Sequence, residues 1–332
     1  MDDDELQRSL LTHIQQVHAA ERAQASELRA LRGEVGIAAI AALLDQHLAE
    51  TIHHGDLLGA RLEELGQGRS MRLLLQSFGA VAPKLVLDRV RPHDARACVR
   101  DAVAAEAGEI ASYLLLGTEA IRAGDDDTAV LAAEIRADEV RTRDELMSNW
   151  NLVVDHDLEA KLESAGTSAT RVAQTELLNH LQDVHALERN ATIMLSTVLA
   201  TVRDETAVAR VDDHRQTTER HVAEIADRLD ELGSGRSLRR QAQGYAFAAL
   251  KGPINLVRAE KAGKDFRDMY VVEQLKTVAY RQLEVLADRA GDERTAAIAV
   301  THLSEEHGMV RWLEREVARF LLESTLGRSA PR

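Results

Sequence analysis

Apolar residues recur three or four positions apart through long stretches of this chain, a spacing that lines one face of an α-helix rather than a strand. Leu10, Ile14, Val17, Leu28 and Leu31 form one such stripe, and Leu177, Leu181, Val184, Leu195 and Val198 form another. A second stripe, Leu44, Thr51, Leu58 and Leu65, belongs to a segment from about Val35 to Leu65 that stops at Gly66-Gln67-Gly68. Its counterpart, Val211, Thr218, Ile225 and Leu232, stops at Gly233-Ser234-Gly235. Glycine ends helices because it takes the left-handed conformation without a Cβ clash. A third helical pattern spans about Asp94 to Ala123, a Gly124-Asp125 turn follows, and a fourth runs from about Thr128 to Trp150. Between the second and third patterns lie about 25 residues, long enough to cross a bundle. This connection, Arg69 to Pro92 and again Arg236 to about Lys261, is apolar at Leu73-Leu74-Leu75 and Phe78 and broken by Pro83, Pro92 and Pro253. A short extra helix is expected in each crossover.

The stripes repeat because the chain does. At the offset of 167 residues that separates His13 from His180, His18 meets His185, Glu21 meets Glu188, His47 meets His214 and His54 meets His221, with no gap. Glu106 with Glu273, Tyr113 with Tyr280, Gly124-Asp125 with Gly291-Asp292, and Glu139 with Glu306 continue the register. A unit this long exceeds the roughly 20–50 residue period of solenoids and reads as a duplicated domain. Short loops within each hairpin and one long crossover between hairpins are the connectivity of the ferritin-like four-helix bundle. The expected fold is therefore all-α: two tandem ferritin-like four-helix bundles, each with a short crossover helix, packed as a pseudo-dimer. Residues 1–150 form bundle 1, 151–171 a linker with a helical first part, 172–325 bundle 2, and 326–332 a loose tail.

Composition narrows the class. Aromatics make up only 3% and prolines number only 4, while Ala, Leu, Glu, Arg and Asp dominate, so strands are disfavoured. The 41 basic and 55 acidic residues leave a net charge of −14, which repels nucleic acid and anionic membrane alike. A single cysteine, Cys98, cannot close an intrachain disulfide, and the start of the chain, Met1-Asp2-Asp3-Asp4-Glu5, is acidic where a signal peptide is basic. No apolar run approaches the ~20 residues of a membrane span, and the cytoplasm is the expected compartment.

The chemistry lies where the stripes are interrupted. Glu21 sits in the first stripe, His47 and His54 in the second, Glu106 and Tyr113 in the third, and Glu139, between Ile135 and Leu146, in the fourth. Glu188, His214, His221, Glu273, Tyr280 and Glu306 repeat the set, with His302 beside Glu306. Three carboxylates facing one another in a dry bundle are costly unless something positive or proton-donating lies between them. A metal ion meets that need, since Glu and His side chains projecting inward from facing helices are how di-iron and di-manganese bundles hold their ions. A hydrogen-bonded Glu/His/Tyr network meets it too, with Arg22/Arg189 or Arg61/Arg228 as counter-charges.

At these residues the chain resembles the YciE/YciF-type ferritin-like bacterial stress proteins. The likeness rests on Glu50-Thr51-Ile52-His53-His54 followed by Leu62-Glu63-Glu64-Leu65-Gly66, on Thr218-Glu219-Arg220-His221-Val222, on Glu106 through Tyr113, and on Asp138-Glu139 with Arg143-Asp144-Glu145-Leu146. It implies a five-helix ferritin-like domain that pairs in dimers, a stress-linked setting and a di-metal site; the duplication would reproduce such a dimer internally. The chain departs from the usual Glu-x-x-His ligand pattern: Thr51 and Thr218 stand three before the stripe histidines, and Thr142 and Met309 stand three after Glu139 and Glu306. Glu50 and Glu109 can compensate in the first copy. In the second, Thr217 and Lys276 occupy those positions, where a lysine ammonium competes with a cation and His302 stands in.

The candidate metal ligands are thus Glu21, Glu50, His54, Glu106, Glu109 and Glu139 in bundle 1 and, more weakly, Glu188, His221, Glu273, His302 and Glu306 in bundle 2. The expected function is Fe or Mn binding in a stress-associated protein, with weak oxidase or peroxide-consuming activity. The alternative is a metal-free helical scaffold or binding protein; no catalytic residue is assigned, and further homo-oligomerisation stays open. The Gly-x-Gly-Arg-Ser repeats read as helix stops followed by new caps rather than phosphate loops. His13, His18, His180 and His185 read as satisfied histidines, Cys98 as a plain buried thiol, and Met194 and Met309 as core filler.

Overall fold

The computed structural model of the chain describes residues 3–66, 95–233 and 261–326. Both expected crossover helices and the tail beyond Leu326 lie outside the described residues. Among the described residues all regular structure is helical: α1 (Asp3–Glu34), α2 (Ala38–Glu64), α3 (Ala95–Ala123), α4 (Asp126–Ser148), α5 (Trp150–Ala165), α6 (Ala169–Leu199), α7 (Glu205–Glu231), α8 (Lys261–Ala290) and α9 (Glu293–Leu326). The all-α, duplicated architecture is borne out. The chain divides into two compact units, Met1–Leu146 and Met147–Arg332. Among the described residues no helix is long and apolar enough to cross a membrane.

In the first unit α1 packs against α2 and α3. Leu10, Ile14 and Val17 of α1 meet Leu58 and Leu62 of α2, Leu116 and Ala120 of α3, and Ala132 and Ile135 of α4 in one buried cluster. Farther along the same helices a second set is buried: Leu28 and Leu31, Ile40 and Leu44, Val99 and Val103, and Leu146. Between these apolar levels each helix carries its polar interruption, so the polar residues form a layer with hydrocarbon on both sides. In this setting each buried Leu, Ile or Val side chain contributes about 1.5–3 kcal/mol of burial, against which the polar layer must be accommodated.

The Gly-Asp turns hold the third and fourth helices in register. Gly124, at φ +69°, lets the chain reverse in a conformation that costs a residue bearing Cβ, and the next amide, Asp125 N–H, returns to Ala120 O at 2.9 Å. Asp125 then caps α4 by accepting from the Thr128 amide at 3.0 Å and receives Arg61 of α2 at 2.7 Å. Asp292, Thr295 and Arg228 repeat this lock in the second unit, with the Arg228 contact at 2.6 Å. Arg61 and Arg228 therefore serve the turns, while Arg22 and Arg189 are exposed, so none of the four supplies the counter-charge considered for the polar layer.

Residues 151–171, expected to link the copies, are largely the helix α5, which ends at Gly166 with φ +59°. It belongs to the second unit, where it packs on α6 and α8 through buried Trp150, Val153 and Val154, and Arg289 pairs with Asp155 at 2.7 Å. The remainder of the second unit repeats the first: α6 on α7 and α8, and α8 on α9.

Candidate metal centre

Histidines seven apart on α2 point the same way, since seven residues are close to two helical turns. His47 and His54 are both 1% exposed and face the carboxylates of the other three helices. His47 Nε2 lies 2.8 Å from Glu106 Oε1 and 3.8 Å from Glu139 Oε2. His54 Nδ1 lies 2.9 Å from Glu139 Oε1 and 3.9 Å from Glu21 Oε1. Glu139 thus spans the two imidazoles, one carboxylate oxygen toward each. Two ligand groups result, His47 with Glu106, Glu109 and Glu139, and His54 with Glu21 and Glu139; within each group the ligand atoms lie within 4.8 Å of one another.

The layer is crowded with buried acceptor atoms. Glu21 Oε2, both oxygens of Glu106 and of Glu139, Glu109 Oε2, His47 Nδ1 and Nε2, and His54 Nδ1 are buried without an aligned hydrogen-bond partner. A buried polar atom left without a partner costs about 1–3 kcal/mol, more when charged, so protons or a cation shared among these groups lower the cost. Burial pushes Glu21, Glu106 and Glu139 up to about 8, with neighbouring carboxylates adding to the effect, and pushes Glu109 well above the usual carboxylate range. On His54 burial opposes the charge, but Glu139, Glu21 and Asp138 outweigh it and raise the group to about 9. On His47 burial prevails and lowers it. Tyr113 donates its hydroxyl to Glu21 Oε1, leaving Oε2 open.

An outer ring orients these groups. His54 Nε2 meets Asp138 Oδ2 at 3.2 Å, and Arg141 holds Asp138 at 2.6 Å. A carboxylate on the far nitrogen of an inward histidine is the arrangement that fixes metal-ligating imidazoles. Glu50 belongs to this ring rather than to the ligand groups: it takes Arg141 at 2.8 Å and stands 4.0 Å from His47 Nδ1.

The second unit repeats the frame with a different centre. His214 Nε2 approaches Glu273 Oε2 at 3.0 Å and Glu306 Oε2 at 3.5 Å, and His221 Nδ1 approaches Glu306 Oε1 at 3.1 Å and Glu188 Oε1 at 3.4 Å. Among them lies Lys276, 0% exposed, with Nζ 3.2 Å from Glu188, 3.1 Å from Glu273 and 2.9 Å from Glu306. Burial opposes ionisation of Glu188 and Glu273, yet the ammonium outweighs it and holds both below the usual range; Glu306 stays up at about 7. Tyr280 donates to Glu188 at 2.5 Å. His302 is turned away from the carboxylates of the layer: it stacks on His221 at 3.7 Å, bonds Tyr280 at 3.1 Å and meets Glu224 at 2.8 Å.

Of the candidates named from sequence, the structure brings together Glu21, His54, Glu106, Glu109 and Glu139 in one unit and Glu188, His221, Glu273 and Glu306 in the other; Glu50 and His302 stand beside these groups. His47 and His214 join them although they were not among the chosen ligands, and their place on the same stripe as His54 and His221 was the available signal. Asp138 was marked only as part of the motif that carries the resemblance, and Glu305, which meets His221 Nε2 at 2.6 Å, only by adjacency to Glu306. His13 pairs instead with Glu119 at 3.0 Å and His180 with the carbonyl of Ala279 at 2.8 Å.

A family model described as Domain of unknown function (DUF892) matches the chain twice, over residues 5–159 and 173–324. No solved structure matches it.

Proposed function

The chain belongs to the DUF892 family and carries that domain twice, and on this premise we propose that its first unit binds a pair of divalent cations, Fe or Mn, in the stress-linked setting that the family resemblance implies. One observation carries the reading: His47 with Glu106, Glu109 and Glu139, and His54 with Glu21 and Glu139, form two groups that share Glu139, the candidate ligand atoms of each lying within 4.8 Å of one another. The donor set of carboxylates with one imidazole per group suits Mn and Fe, and carboxylate-bridged pairs are a recurrent use of four-helix bundles.

His47, Glu106, Glu109 and Glu139 would hold one ion, and His54, Glu21 and Glu139 the other. Such ions supply Lewis acidity and, for Fe or Mn, one-electron chemistry. The residues of the chain do the rest. Glu139 links the two groups, Asp138 fixes the face that His54 presents, and Tyr113 orients Glu21 by its hydrogen bond while the apolar levels above and below exclude water. Thr51 and Thr142 stand where a fuller ligand set would place histidine or glutamate, which is consistent with weak oxidase or peroxide-consuming turnover rather than rapid catalysis.

A second reading, a metal-free scaffold, is favoured by the raised carboxyl groups: at about 8, Glu21, Glu106 and Glu139 can stay protonated near neutrality and share protons instead of a cation. Elemental analysis of untagged chain separates the two. Metal binding gives about two equivalents of Fe or Mn per chain, as the shared-carboxylate pair requires; well under one equivalent, unchanged by Glu21→Ala with Glu106→Ala, supports the scaffold.

A further inference from the structure

We propose that Lys276 is a permanent internal cation of the second unit: its tethered ammonium holds the place among Glu188, Glu273 and Glu306 that a divalent ion would take, so this half of the chain excludes metal and folds without it. The proposal rests on the reading of the first unit in one respect only, that the same frame without a lysine accepts cations.

The geometry is specific. Nζ reaches one oxygen of each of three carboxylates at 2.9–3.2 Å and Thr218 Oγ1 at 3.3 Å, with no exposed surface. Those three oxygens are the Oε2 atoms, and Glu273 and Glu306 present theirs to His214 as well. A metal ion would need them at about 2.0–2.2 Å, which the ammonium forbids by volume as well as by repulsion. The duplicated register identifies the change behind this: Lys276 stands 167 residues after Glu109, so an acid of the first unit has become a base in the second. The surrounding frame is retained, with Tyr280 on Glu188, and Glu305 on His221 Nε2 held in turn by Arg220 at 2.6 Å. A fixed charge on a covalent stem neutralises the layer at every metal concentration, whereas a bound ion does so only when supplied.

Exchange of the central residue tests this in the full chain. Lys276→Met keeps the stem and removes the charge. In metal-free buffer it is expected to lower the Tm of the second unit by roughly 10 °C, since three buried carboxylates lose their partner. Mn²⁺ should restore that Tm and the chain should gain about one equivalent over the unaltered protein, the fourth ligand position now being open. An unchanged Tm, or a loss that Mn²⁺ does not restore with no gain in bound Mn²⁺, overturns the proposal. The reciprocal variant Glu109→Lys copies an arrangement this chain already folds around; it should abolish Mn²⁺ binding by the first unit while Glu109→Gln retains part of it, and equal binding by the two overturns the exclusion role. In the Glu139→Ala chain, whose first unit is expected to bind no Mn²⁺, saturating Mn²⁺ should leave the His214 and His221 imidazole NMR signals sharp, and their paramagnetic loss overturns the proposal. Absence of Mn²⁺ from the unaltered chain sinks the reading of the first unit, but leaves the Lys276→Met gain to be read on its own.

Discussion

Glu109 and Lys276 occupy the same step of the same helix in two copies of one design, and the layers around them differ accordingly. In the first unit four carboxylates and two imidazoles face inward, and burial drives Glu21, Glu106 and Glu139 up to about 8 and Glu109 well above the usual carboxylate range. In the second, three carboxylates share one ammonium, and two of the three are held down instead. The fold is indifferent to which solution is adopted; the apolar levels and the Arg-Asp-Thr turn locks are the same. A polar layer in a helical bundle needs positive charge or protons from somewhere, and on the proposal made for Lys276 one position decides whether a side chain or an ion supplies it.

The comparison breaks most sharply at the carboxylate that spans both histidines. Glu139→Ala is expected to remove all Mn²⁺ binding from the chain, whereas Glu306→Ala should leave the bound equivalents unchanged; equilibrium dialysis reads both, and equal effects would erase the difference between the units.

The next effect is on pH. Glu21, Glu106 and Glu139 have folded values raised from 4.5 to about 8, so their contribution to metal-free stability is full below 4.5 and is lost as pH climbs toward 8. Glu188 and Glu273 have lowered values, so theirs is present above 4.5 and is lost only in acid. Calorimetry of the metal-free chain should therefore show the first unit losing more stability between pH 5 and 8 than the second, where Glu306, up at about 7, is the one raised carboxyl against two lowered ones. Because cations must displace the protons, Mn²⁺ affinity should rise about 100-fold from pH 6 to 8 for each proton released per ion; a flat affinity profile would mean that the acids are already ionised.

Smaller again is the outer ring. Asp138→Asn should weaken Mn²⁺ binding by roughly 10–100-fold through loss of the His54 orienter, while Glu305→Gln, its counterpart, should not change metal content. Glu50→Gln should cost less than about 5-fold, a few tenths of a kcal/mol to 1 kcal/mol, because Glu50 is spent on a partly exposed pair with Arg141. A loss as large as that of Asp138→Asn would place Glu50 among the ligands.

Much of this was legible from periodicity. Helical stripes of Leu, Ile and Val with Glu21, Glu106 or Glu139 set into them report which side chains face inward, because one helical face is a local property of spacing. The doubled register exposed the same residues in the second unit and flagged Lys276 as a competitor for a cation. What spacing could not convey was pairing between helices. Glu50 and His302 lie within a turn of inward residues, yet a rotation of about 100° per residue is enough to carry one to Arg141 and the other onto a histidine stack. Asp138 entered only as part of the motif that carries the resemblance, and its place against the far nitrogen of His54 comes from pairing between α2 and α4. His47 was legible as an inward residue of its stripe but not as a ligand, since its carboxylate partners come from α3 and α4.

The most direct measurement is anomalous X-ray scattering at the manganese edge from crystals of the full chain grown with Mn²⁺. The account requires density beside Glu139, between it and His47 and between it and His54, with none beside Lys276. Empty first-unit density at full Mn²⁺ supply, or a peak among Glu188, Glu273 and Glu306, would contradict it.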